Sequence, residues 1–152
     1  MISKPILYVL CLAILVMQLV AITTTDWSVK TSGNNATSSM GLWNFCLSNV
    51  TCTKLPGSLP NFPLASLQVV RTFAILGAIC TLLSFGFIYM DSQYQLPMIA
   101  LSGVCSLIAS VVWAIKLLTI NKVEFTVGYS FFVNLIAGMF GLGLSGYLYM
   151  EK

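Results

Sequence analysis

The chain has no histidine, and its four acidic residues, Asp26, Asp91, Glu124 and Glu151, are scattered over 152 positions with none inside a long apolar run. Hydrolytic triads and most zinc sites need an imidazole, paired-carboxylate chemistry needs two acids close together, and pumps usually rely on an intramembrane carboxylate. Enzyme chemistry is therefore a poor reading, and no catalytic, cofactor-binding or metal site is expected. Basic residues are also few: seven Lys and Arg give a net charge of +3 with no cluster anywhere, which argues against a nucleic-acid surface. Charged residues of both signs make up only 7% of the chain, against about a quarter in a soluble domain.

What fills the chain instead is apolar. Hydrophobic residues reach 58%, more than the core of a chain this short can absorb, so lipid must replace water as the main solvent. Four apolar runs, approximately 5–24, 67–90, 96–118 and 127–150, each reach the roughly 20 residues a helix needs to cross hydrocarbon. The first has the look of a signal peptide, with Lys4 ahead of it. Its length and the lack of a small-x-small cleavage site before Thr23 favour a retained span. The expectation is a mainly α membrane protein with four spans, both termini on one side, a long polar loop at 25–66 and a short one at 119–126.

The side is contested by two signals. With the termini in the cytosol, only Lys4 and Lys152 lie inside, against Lys30, Lys54, Arg71 and Lys122 in or beside the outer loops, so the positive-inside count weakly favours the reverse. Two glycosylation sequons, Asn35-Ala36-Thr37 and Asn49-Val50-Thr51, and a close cysteine pair all lie in the long loop and call for an oxidising, lumenal side. Taken together they outweigh the count, and cytoplasmic termini in the plasma membrane are expected. Of five cysteines, Cys11, Cys80 and Cys105 fall inside spans as small packing residues, whereas Cys46 and Cys52 share the loop. Strand-compatible residues flank a Leu-Ser-Asn turn between them, which predicts a disulfide-bridged hairpin.

Trp27, then Gly41-Leu42-Trp43, then Cys46 and Cys52, then Arg71 resembles the W-GLW-C-C signature of the claudin superfamily, and the resemblance extends over the whole chain in span number, loop order and loop size. Gly128-Tyr129-Ser130-Phe131 and Ser145-Gly146-Tyr147-Leu148-Tyr149 look most like the epithelial membrane protein branch, whereas Leu67-Gln68-Val69-Val70-Arg71 looks more like claudins proper. The resemblance implies a left-handed four-transmembrane-helix bundle. The first loop, joined by a last strand from the second, would form a small extracellular antiparallel β-sheet. It also implies roles: Trp27 an amphipathic anchor at the outer interface, Gly41-Leu42-Trp43 a plug over the bundle, and Arg71 a cap on span two that hydrogen-bonds loop backbone.

Small residues recur every fourth position at Ser102, Ser106, Ser110 and Ala114 in span three and at Ala137, Gly141 and Ser145 in span four. Such spacing permits close helix approach, either within one bundle, the favoured reading, or in lateral self-association. Gln18 and Asn134, the amide-bearing residues of the spans, are expected to make interhelical hydrogen bonds. Two functions follow from the resemblance. One is cell–cell contact or junction assembly through the extracellular loops, as a paracellular barrier or weakly selective pore. Phe125 would be a trans-contact, and Lys30 and Lys54 the pore charges. The other is an accessory or channel-regulating tetraspan that organises a membrane partner. Besides the lipid bilayer, the expected partners are further copies of the chain or another membrane protein. The end of the sequence just after span four argues against anchoring to a PDZ-type scaffold through the C-terminus.

Overall fold

A computed structural model of the chain describes residues 3–31, 37–47, 51–54, 64–90, 92–119 and 126–151. The elements run α1 (Lys4–Thr23), β1 (Ser28–Thr31), β2 (Thr37–Met40), β3 (Asn44–Leu47), β4 (Thr51–Lys54), α2 (Leu64–Tyr89), α3 (Gln95–Thr119), β5 (Thr126–Val127) and α4 (Tyr129–Met150). All four helices are long and apolar enough to cross a membrane, and each lies within a few residues of its expected run. Pro5 in the first turn of α1 loses no intrahelical hydrogen bond. At the other end the Thr24 hydroxyl and N–H both donate to the Val20 carbonyl, at 2.6 and 3.0 Å, satisfying an orphan acceptor.

α2 packs most extensively on α3 and α3 on α4, while α1 closes the ring against α2 and α4. The outward faces are apolar: Leu12, Val16, Leu82, Ile115 and Ile136 are more than half exposed. The interior carries Gln18, Thr81, Ser102, Ser106, Ser110 and Asn134, all essentially inaccessible. That distribution inverts a water-soluble bundle, as it must where hydrocarbon is the solvent. Ser102, Ser106, Ser110, Ala137, Gly141 and Ser145 are all buried within the single chain and Ala114 is half-buried, which fits the favoured reading of packing within one bundle.

Both helix ends that meet the sheet, the C-terminus of α1 and the N-terminus of α4, lie on the side opposite the two chain ends. The five strands are ordered β4-β3-β2-β1-β5, antiparallel throughout. β1 through β4 come from the first loop, and β5, just before α4, supplies the last strand by pairing Val127 with Ser28 and Thr126 with Val29. Cys46 sits directly opposite Cys52 in the β3–β4 ladder, and the two form a disulfide.

Candidate functional site

The sheet is fastened to the bundle at one joint, built from the residues the signature singles out and from three it omits. Trp27 follows α1 by four residues. Its N–H donates to the Met40 carbonyl at 3.1 Å, its own carbonyl accepts from Gly128, and its indole N–H donates to the Ala21 carbonyl at 2.6 Å. The ring is 0% exposed, seated among Ala21, Met40, Leu42, Val70, Ala109 and Phe131. The expected role of Trp27 as an interfacial anchor is therefore overturned. A wholly buried ring is a core element, and its N–H is satisfied by backbone rather than by headgroups or water.

Trp43, unlike Trp27, keeps part of its ring exposed. It is 40% exposed at the sheet end of α1, its indole N–H donating to the Ile22 carbonyl at 2.9 Å. The guanidinium of Arg71 lies 4.8 Å from the Trp43 ring centroid, and Arg71 Nε donates to the Leu42 carbonyl at 2.7 Å. A planar cation over an aromatic face adds electrostatic attraction to the hydrogen bond. Arg71 stands two turns inside α2, so it grips the Gly41-Leu42-Trp43 turn from the helix flank and does not cap the helix end. Leu42 is fully buried beneath the turn. Gly41 is required by space: a Cβ there would stand 2.6 Å from Thr25 Cα and 2.8 Å from the Thr24 carbonyl oxygen, both backbone atoms that cannot yield.

Trp113, Ser28 and Phe131 complete the joint; Trp113 and Ser28 escaped the reading of the sequence, and Phe131 entered it only within the run Gly128-Tyr129-Ser130-Phe131. Trp113, on α3, is 0% exposed, meets Trp27 edge-to-face at 5.2 Å between centroids, and donates from its indole to Ser28 Oγ at 3.0 Å. Phe131, in the first turn of α4, meets Trp27 edge-on at 6.4 Å. One signal was available: Trp113 follows Ser102, Ser106 and Ser110 on the same helical face, three residues past the last. Thr24 and Ser130 add a hydroxyl pair at 2.6 Å between the ends of α1 and α4.

Strand alternation sorts the sheet. The row Ser28, Met40 and Phe45 turns toward the joint, so the row Val29, Ser39, Cys46 and Cys52 lies on the opposite face with the disulfide. The same alternation separates the two candidate pore charges. Lys30 shares the face of Ser28 and is half-buried, while Lys54 shares the disulfide face, exposed, on edge strand β4, three strands away or about 14 Å. They do not form one patch. All four residues of β4 are exposed. Asn35, Asn49 and Phe125 lie outside the described residues.

Beneath the joint, Gln18 links three helices. Its Nε2 donates to Ser102 Oγ and Ser106 Oγ, each at 2.9 Å, and its Oε1 accepts from Thr81 Oγ1 at 2.8 Å. Asn134 of α4 reaches the same stretch of α3, Nδ2 donating to the Ser106 carbonyl at 2.9 Å and to Ser110 Oγ at 3.0 Å. The hydrogen bonds expected of both amides are thus made, and every one crosses between helices. Among the described residues, no group of three or more His, Cys, Asp or Glu is placed to hold a metal ion. No family model matches the chain, and no curated protein matches it either.

Proposed function

We propose that the chain is a claudin-like tetraspan of the plasma membrane, its termini cytoplasmic, which makes cell–cell contacts through its disulfide-clipped extracellular sheet. The observation that carries this reading is the joint. Trp27, Leu42, Trp43 and Arg71, the ordered residues of the resemblance, converge with Trp113 to hold the sheet rigidly on the bundle. A rigid sheet whose edge strand β4 is exposed along its length is suited to pairwise contact between molecules. With Lys30 and Lys54 on opposite faces, no concentrated charge lines the described sheet, which favours a barrier or weak selectivity over a strongly selective pore. Tagged protein expressed in cells without junctions tests the proposal by microscopy. Strands at cell contacts are expected, and diffuse surface signal at every expression level argues against it.

A second reading, an accessory subunit of a larger membrane protein, rests on a different feature. Ile136, Met139, Phe140, Gly143 and Leu144 form an open apolar depression on the outward side of α4, a surface against which a partner helix would pack. Surface signal that appears only when a partner is co-expressed would favour this reading.

A further inference from the structure

Among the described residues, the polar network inside the bundle leaves one acceptor and one donor unmatched. Asn134 Oδ1 is fully buried and has no hydrogen-bond partner. Its amide orientation is fixed, because the opposite flip would aim the oxygen at the Ser106 carbonyl, an acceptor that Nδ2 now serves. On Ser106, whose carbonyl Asn134 Nδ2 reaches, Oγ accepts from Gln18 Nε2, which uses the oxygen and leaves its proton to be placed. The neighbouring hydroxyls are already committed: Ser110 Oγ donates to the Ser106 carbonyl at 3.0 Å, and the Thr81 and Ser102 hydroxyls pair at 2.6 Å. Ser106 Oγ and Asn134 Oδ1 do not bond each other, although Asn134 already touches Ser106 through its backbone. Facing Ser106 from α2 is Gly77, whose missing side chain keeps that wall back; a Cβ there would lie 3.0 Å from Ser106 Oγ.

We propose that the bundle holds a site for one water molecule, which accepts a hydrogen bond from Ser106 Oγ and donates one to Asn134 Oδ1. A buried acceptor in hydrocarbon costs free energy until a donor reaches it, and the ligand that meets a spare donor and a spare acceptor together must itself be both. A cation does not qualify, because the spare hydroxyl proton would point at it and all four acids of the chain lie outside the spans. With this water the Gln18 and Asn134 halves become one hydrogen-bonded unit touching all four helices.

Labelled protein in lipid bilayers tests the site by solid-state NMR with selective transfer of magnetisation from water. The Asn134 side-chain amide is expected to receive the transfer, while Ala21, equally buried and nearer the sheet end of α1, receives none. In Ser106→Ala the Asn134 signal is expected to be lost. No transfer in the wild-type protein, equal transfer to Ala21, or an unchanged Asn134 signal in Ser106→Ala would each overturn the proposal. Should Ser106→Ala fail to fold, the wild-type comparison of Asn134 with Ala21 decides alone.

Discussion

Replacing Gln18 with leucine isolates the hydrogen bonds of the bundle interior from its packing, since the two side chains have nearly the same volume and no cavity opens. Three bonds disappear, to Ser102, Ser106 and from Thr81. Interhelical hydrogen bonds in membranes average about 0.6 kcal/mol, so the loss comes to about 2 kcal/mol, a roughly 25-fold shift in the unfolding equilibrium. The released groups limit the damage: Thr81 and Ser102 keep their mutual bond, and Thr81 Oγ1 already lies 3.1 Å from the Gly77 carbonyl. Cys11, Cys80 and Cys105 supply the assay, because all three thiols are buried between helices and Cys46 and Cys52 are oxidised to each other. A thiol-reactive dye therefore reports opening of the bundle alone as temperature or denaturing detergent rises. Gln18→Leu is expected to open earlier, and a double-mutant cycle with Thr81→Val to show coupling of about 0.6 kcal/mol. An unchanged or later opening with zero coupling would refute the claim that these bonds stabilise the bundle.

Two glycines are expected to respond oppositely in the same assay. Gly41→Ala should destabilise strongly because its Cβ meets backbone, whereas Gly143→Ala meets nothing within 4 Å and should raise stability by up to about 1 kcal/mol through helix propensity. Changing Cys46 and Cys52 together to serine should speed hydrogen exchange in β4, which has no burial of its own, while leaving thiol protection in the bundle unchanged. Glycosidase treatment of expressed protein should shift its gel mobility, and the shift should disappear with Asn35→Gln and Asn49→Gln combined. No shift would reopen the orientation that the positive-inside count favours.

The sequence alone settled what is encoded locally. Whether 20 successive residues are apolar enough to leave water is a sum over one segment, so the four helices fell close to where composition placed them. The β3–β4 hairpin was legible for a related reason: Cys46 and Cys52 are six residues apart, and a short ring has few ways to close. β1 and β2 were not legible as segments, since Ser28–Thr31 and Thr37–Met40 are largely polar and gain their strand character from neighbours. What only the tertiary structure decided are matters between distant residues. An indole at a span end has the same chemistry whether it lies at the interface or under a sheet. Trp27 is buried and Trp43 half-exposed because the chain after α1 turns back over the bundle, and Trp113 joins them from 86 positions beyond Trp27. The partners of Gln18 likewise lie 63 to 88 residues away. A serine every four residues announces a helix face, but which amide it meets depends on which helices become neighbours, and no local pattern carries that.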